Sequence, residues 1–235
     1  MEGRVPTGIA CVFINLSDLS KETEYNQWYN TVHIPDVTNP GIYGNATRYD
    51  NPDAAGGAES PRYFAIYETT HEKPAEAWLL NRKSPKRLGS PSFDGIQIVS
   101  VPVFERIGPD PAPPNGKVTT GVLVVTSNCK DPDKEDEFNR WYDDVHIPDV
   151  LGTGHFYTAS RFRIANSDTA PAKFLAVYET ADADPLAAPA GMMEKIKTVR
   201  DLPGHSSELF QRVFVSPYRL IFSQARQGAA SGAAP

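Results

Sequence analysis

Glu24-Tyr-Asn-Gln-Trp-Tyr-Asn-Thr-Val-His-Ile-Pro-Asp-Val37 returns later in the chain as Glu137-Phe-Asn-Arg-Trp-Tyr-Asp-Asp-Val-His-Ile-Pro-Asp-Val150, identical at ten of fourteen positions. Self-similarity of this kind marks an internal duplication. The match spreads outward, with Gly8 over Gly121, Pro40-Gly41 over Thr153-Gly154, and Ala46-Thr-Arg-Tyr49 over Ala159-Ser-Arg-Phe162. After a two-residue shift, Phe64-Ala-Ile-Tyr-Glu-Thr69 lies over Leu175-Ala-Val-Tyr-Glu-Thr180. The chain therefore reads as a first repeat over residues 1–108 and a second over 118–223. Between them, the prolines of 109–117 favour an extended, semi-rigid linker, and the Ala, Gly and Ser of 224–235 read as a disordered tail.

Each copy carries the same order of elements. Gly8 to Asn15 and Gly121 to Ser127 are apolar runs of strand length. Helices follow over Ser20 to His33 and Asp133 to His146, with Ser20 and Asp131 or Asp133 as candidate N-caps. Pro35 and Pro148 are expected to stop them, since the residue before a proline is pushed out of the α region. Strands over Tyr43–Tyr49 and Tyr63–Thr69 recur as Phe156–Ile164 and Phe174–Thr180; second helices cover Pro74–Leu88 and Pro185–Val199. Closing strands fall near Gln97–Arg106 and between Leu209 and Phe222. The order βαββαβ is the ferredoxin-like unit, an α+β fold class. One such unit leaves a sheet face bare, and two fused copies can cover each other. First strands such as Ile9-Ala-Cys-Val-Phe-Ile14, apolar on both faces, fit a sheet buried on both sides.

Composition excludes several function classes. With 40% apolar and 22% charged residues the chain is ordinary globular protein, and its net charge of −6 opposes phosphate binding, so no nucleic-acid partner is expected. The densest basic group, Lys83, Lys86 and Arg87, reads as a solvated helix face. No apolar run approaches the roughly 20 residues that cross a bilayer, so no membrane partner is expected and the cytoplasm is the default. Cys11 and Cys129 occupy unrelated places in the two copies and imply neither a repeated disulfide nor a repeated metal site. His33 with Asp36 supplies too few ligands per copy for a metal.

The repeated motif holds the candidate chemistry. Tyr29 and His33, like Tyr142 and His146, are four apart and share a helix face. Placed in the last turn, each histidine is expected to have a raised pKa, with Asp36 or Asp149 orienting the ring and favouring its cation. That arrangement suits a general acid or base; it equally suits a histidine capping the helix, with Trp28 and Trp141 in the core. Arg48 and Arg161 either steady an anionic oxygen or pair with Glu68 and Glu179 across the sheet. Tyr67 and Tyr178 follow small residues that leave room for a ligand. The second copy has His155, Asp143 and Asp144 where the first has Ile42, Asn30 and Thr31, so its site is expected to do most of the work. No nucleophile elbow, phosphate loop, dinucleotide fingerprint or HExxH helix is present.

The run WYxxVHIPDV, followed by a glycine, an Ala-x-Arg-aromatic strand and an Ala-Ile/Val-Tyr-Glu strand, resembles the EthD-like branch of the dimeric α/β-barrel superfamily across both copies. The resemblance implies two ferredoxin-like units packed sheet to sheet as an intramolecular barrel, with aromatic pockets holding one histidine and one or more tyrosines. It leads to an expected cofactor-independent lyase or isomerase, acting on a small aromatic or polyketide-like substrate, in a monomer or homodimer. His146, Asp149, His33, Asp36, Tyr142 and Tyr29 would carry catalysis, while Arg161, Arg48, Tyr178, Tyr67, Trp141, Trp28 and His155 would bind substrate. The alternatives are a haem-dependent enzyme with a histidine axial ligand and a non-catalytic stress or small-ligand carrier.

Overall fold

The structure, a computed structural model, describes residues 1–166 and 172–226. In chain order the elements of the N-terminal copy are β1 (Gly8–Leu16), α1 (Glu22–Trp28), α2 (Ile34–Thr38), β2 (Asn45–Asp50), β3 (Tyr63–Thr69), α3 (Pro74–Lys83), β4 (Ile96–Ser100) and β5 (Val103–Ile107). The C-terminal copy contributes β6 (Gly121–Cys129), α4 (Glu135–Trp141), α5 (Ile147–Gly152), β7 (Thr158–Ile164), β8 (Phe174–Thr180), α6 (Ala188–Arg200) and β9 (Phe210–Ser223). It is a mixed α/β fold built on antiparallel sheet. The chain divides into two compact units, one built mainly from Pro6–Glu105 and the other mainly from Arg106–Ile164 with Pro171–Leu220. The Pro-rich segment 109–117 groups with the second unit, whereas short segments from Ala165 and from Ile221 complete the first.

The pairing is the same in both copies. β1 lies between β3, with Gly8 opposite Thr69, and the β4/β5 edge, with Leu16 opposite Ile96 and Gly8 opposite Glu105; β2 continues beyond β3. In the second unit β6 lies between β8 and β9, and β7 continues beyond β8. The closing strand expected over 97–106 is broken into β4 and β5 around Pro102, because proline cannot donate to the ladder. Gly8 and Gly121 sit where β1 and β6 meet the second helical segment. A Cβ at Gly8 would lie 2.3 Å from Pro74 Cγ, and one at Gly121 2.4 Å from the Tyr218 carbonyl oxygen.

The motif helices differ from expectation at both ends. Asp18, not Ser20, caps the first by accepting from the Ser20 N–H, while Asp131 caps the second as anticipated. Neither Pro35 nor Pro148 stops its helix. Tyr29–His33 and Tyr142–His146 form single π-helical turns in which the N–H of Ile34 reaches the Tyr29 carbonyl and that of Ile147 the Tyr142 carbonyl. A widened turn spares the proline ring the carbonyl it would strike four residues back, so helix resumes as α2 and α5. The second helices are shifted or shorter than expected, running Pro74–Lys83 and Ala188–Arg200. Of the expected tail, residues 224–226 form a helical turn and Gln224 Nε2 donates to Thr38 Oγ1 at 3.3 Å; the remainder lies outside the described residues.

Helix meets sheet through one aromatic cluster per copy. Tyr25, Tyr29, Ile34 and Val37 pack on Ala10, Val12, Ile14, Ala65 and Tyr67 in the first, and Phe138, Tyr142 and Val150 on Leu123, Val125, Ala176 and Tyr178 in the second. The opposite face of β1 is buried as well, through Ile9, Cys11 and Phe13, as its doubly apolar sequence requires. Burial pushes the Cys11 thiol pKa far up, which keeps it inert.

Candidate functional site

The π turn sets the position of each motif histidine. His33 stacks on Trp28 with ring centres 5.0 Å apart and meets Tyr29 edge-on at 4.8 Å; His146 repeats this with Trp141 at 4.9 Å and Tyr142 at 4.7 Å. Among the described residues no hydrogen bond reaches either ring. The expected rise in pKa is reversed. Burial, then the positive charges of Arg87 and Arg48, hold His33 down to about 4 despite Asp36. Burial, then Arg200 and Arg161, hold His146 down to about 3. The physical reason is that the helix continues beyond each histidine, so no helix end faces the ring, and apolar surroundings penalise the cation.

Asp36 and Asp149 do not orient the histidines. Asp36 Oδ2 accepts from Arg87 Nε at 3.0 Å and Nη2 at 2.5 Å and from the Ser90 hydroxyl at 3.1 Å; Oδ1 accepts from the Leu88 and Gly89 N–H groups. Burial alone would raise its pKa, but the Arg87 guanidinium and these donors bring it down to about 2. Asp36 thus fastens the loop after α3. Asp149 does the same for the loop after α6 by pairing with His205 Nδ1 at 2.8 Å. Arg87, read from sequence as part of a solvated helix face, lies past the end of α3 and is committed to this clasp.

The two arginines are buried and occupied. Arg48 donates to Asn30 Oδ1 at 2.7 Å and Asn26 Oδ1 at 2.8 Å with its guanidinium 4.1 Å from the Tyr29 ring centre; Arg161 does the same with Asp143 at 2.9 Å, Asn139 at 2.7 Å and the Tyr142 ring. Both reach into the motif helix, so the pairing with Glu68 or Glu179 is not formed, and Asp143 answers Arg161 rather than His146. Tyr67 donates to the Tyr29 hydroxyl at 3.1 Å and Tyr178 to that of Tyr142 at 3.2 Å, which links the sheet to the same helix. His155 stands apart on the Asp182 carboxylate at 2.7 Å, against Gly191 of α6.

A cavity of about 550 Å³ opens beside His33. Val12, Ile14, Ile96 and Ile98 form its sheet wall, Trp28, Tyr29 and His33 its helix wall, and Arg82, Arg87 and Phe93 stand on its third side. Trp28 Nε1 donates to the Pro91 carbonyl at 3.0 Å and ties that side to the helix. His146, the favoured histidine in the sequence, is instead 7% exposed and lies beneath Phe210 at 5.7 Å. Sequence reasoning missed Arg82, Arg87, Phe93, Ile96, His205 and Phe210 because all lie outside the repeated motif, in α3, loops and closing strands where the copies share no pattern. Among the described residues no group of three His, Cys, Asp or Glu is arranged to hold a metal, and no helix is long and apolar enough to cross a membrane.

A family model described as a domain of unknown function, DUF4286, matches residues 121–188, less than half of the chain. No curated protein matches. Among solved structures the chain is similar to a chlorite dismutase variant from Candidatus Nitrospira defluvii, with a TM-score of 0.56 and 6% identity over 93% of each chain. It is also similar to a dye-decolorizing protein from V. cholerae, with a TM-score of 0.54 and 10% identity over 92% of this chain and 94% of that one. The likeness to a chlorite dismutase and a dye-decolorizing protein overturns the expectation of a cofactor-independent lyase or isomerase. The geometry agrees with that correction, since a proton-transfer site built on an Asp-oriented, readily charged histidine is not formed. At such identities the likeness speaks for the fold alone, a mixed α/β fold with a large antiparallel sheet.

Proposed function

We propose that the chain is a haem-dependent enzyme that binds the group in the N-terminal cavity, where His33 would hold its iron. The observation that carries this reading is a neutral imidazole, unbonded within the described protein, facing a cavity of about 550 Å³ with apolar walls and two arginines. That volume falls within the roughly 300–1,000 Å³ of small-molecule sites. The donor set fits the group: a histidine that would hold iron must be neutral, and His33 is held neutral by burial and by neighbouring guanidinium charge. Arg82 supplies positive charge for the carboxylates of an otherwise apolar macrocycle, while Arg87 on the same side is paired with Asp36.

Bound haem would supply oxidation and reduction chemistry, tuned by the residue that would hold it and by its surroundings. The chain's own residues do the positioning. Trp28 fixes the plane of the His33 ring by stacking, and the Pro91 carbonyl fixes Trp28 in turn. Asp36 clamps the Arg87 to Ser90 loop that forms one wall, so it acts on the cavity's shape rather than on a proton. Among the described residues no carboxylate hydrogen-bonds the imidazole, and Asp36 favours its basicity only through charge, outweighed by burial and Arg87. The placement in the EthD-like branch and the fusion of two ferredoxin-like units belong to the same proposal, supported by the shared motif and by matching strand pairing in the two copies.

The test is an absorption spectrum of the purified protein after addition of haemin. A histidine-ligated haem spectrum that His33→Ala removes and His146→Ala leaves intact is the expected result. An unchanged free-haemin spectrum, or one indifferent to His33→Ala, overturns the reading. One observation favours a second reading, a non-catalytic carrier of a small aromatic ligand: Asp36, the carboxylate nearest the histidine in sequence, is saturated by Arg87, Ser90 and two backbone donors. Binding of an aromatic ligand without any haem spectrum would favour that reading.

A further inference from the structure

The copies share their motif and differ in what lies over it. β4 pairs with β1 through Leu16 opposite Ile96, Asn15 opposite Gln97 and Ile14 opposite Ile98, and β9 pairs with β6 through Cys129 opposite Phe210, Asn128 opposite Gln211 and Ser127 opposite Arg212. Both ladders slip at the same point, between Phe13 and Ile14 and between Thr126 and Ser127. Leu16 follows Gly8 by the interval that separates Cys129 from Gly121, so Ile96 and Phe210 occupy one and the same place in the repeat. Ile96 lines the cavity beside His33. The Phe210 ring instead covers the second motif, 5.7 Å from His146 and 6.0 Å from both Trp141 and Tyr142.

We infer that the C-terminal copy retains a second ligand site of the same kind, built on His146, Trp141 and Tyr142 and held shut by the Phe210 side chain. This inference rests on reading the His33 cavity as a ligand site. Two further observations support it. Trp141 Nε1 is buried without an acceptor among the described residues, whereas its counterpart Trp28 Nε1 has the Pro91 carbonyl. A buried donor left unmade is costly, and it stands next to an imidazole whose nitrogens are also unbonded, so the polar groups of a site persist where the space has been filled. The Asp149–His205 pair also anchors the segment leading into Phe210, as Asp36–Arg87 anchors the corresponding loop of the first copy. Closure therefore comes from one side chain on an intact frame.

Histidine modification by diethyl pyrocarbonate, read residue by residue by mass spectrometry at pH 7, tests closure without any assumption about the ligand. Both imidazoles are neutral at that pH, so exposure decides their reactivity. In the unaltered protein His33 is expected to react and His146 to be protected. Phe210→Ile should raise the His146 rate at least about tenfold, the factor that accompanies roughly 1.4 kcal/mol less opening free energy. Ile96→Phe should protect His33 reciprocally, and it keeps the inference falsifiable if Phe210→Ile does not fold. Equal reactivity of the two histidines in the unaltered protein, continued protection of His146 in folded Phe210→Ile, or unprotected His33 in Ile96→Phe would each overturn it. Haemin titration supplies the second arm: one equivalent per chain should become two in Phe210→Ile, and one equivalent in a folded variant whose His146 has been unmasked overturns the second site. Failure of both proteins to bind haemin, with the reactivity changes as expected, would sink the haem reading and leave the closure standing.

Discussion

The depressed pKa of His146 makes acid sensitivity a direct probe of the site. In the folded protein burial holds it to about 3, while an unfolded histidine titrates near 6.5. Below pH 6.5 the unfolded chain binds a proton that the folded chain refuses, so the contribution is fully present above that value and is lost as pH falls towards 3. At about 1.4 kcal/mol per pH unit, the loss between pH 6.5 and about 4.5 is roughly 2.5 kcal/mol. His33 acts in the same direction but is only half-buried, and solvent screening reduces its share to about 1 kcal/mol. Asp36, held down to about 2, loses its contribution only below about pH 4, so it adds nothing to the slope between pH 6.5 and about 4.5. Urea unfolding at stepped pH, followed by tryptophan fluorescence, measures the slope. His146→Gln keeps a neutral polar side chain with nothing to titrate and should remove most of it. A flat stability between pH 6.5 and 4.5 in the unaltered protein, or an equal slope in the Gln variant, would refute the burial argument.

The remaining predictions concern the frame around the histidines. Asp36→Ala strands the Arg87 guanidinium and two backbone donors, and should cost about 3 kcal/mol by removing one partner of a buried pair, read as a fall in thermal midpoint. Asp149→Ala should cost about 1 kcal/mol, because its partner His205 is one-third exposed. Gly8→Ala and Gly121→Ala should each destabilise by about 3 kcal/mol or prevent folding, since the added carbon would meet rigid proline and backbone atoms; soluble yield and melting temperature report this. Arg48→Lys cannot reproduce the fork to Asn26 and Asn30 together with stacking on Tyr29, and a loss of about 2 kcal/mol in denaturant unfolding is expected.

Much of the fold was legible because duplication repeats whatever packing requires. Each motif helix presents tyrosine or phenylalanine, tyrosine and histidine at helical spacing, and each sheet answers with alanines that let those rings approach. Strand order and the buried faces of β1 follow from such local patterns. The misread details share another cause. Pro35 and Pro148 looked like stops because the preference of the residue before proline is local, whereas the π turn that accommodates them depends on the hydrogen-bond ladder of the whole helix.

The chemistry of the motif was misjudged for a related reason. Sequence places Asp36 three residues from His33, and proximity along the chain suggested a pair, yet the carboxylate turns towards Arg87, fifty-one residues away. An arginine is the stronger partner for a buried carboxylate, since it satisfies both charge and several donors at once, and the histidine is then left neutral. Openness was less legible still. The two copies have the same histidine, tryptophan and tyrosine, so nothing inside the motif distinguishes an open site from a closed one. The deciding position pairs Ile96 with Leu16 and Phe210 with Cys129, an equivalence that appears only once both closing strands have been laid against β1 and β6 with their slipped registers. A duplicated protein can thus keep its scaffold residues identical while one closing-strand side chain determines whether each copy has room for a ligand.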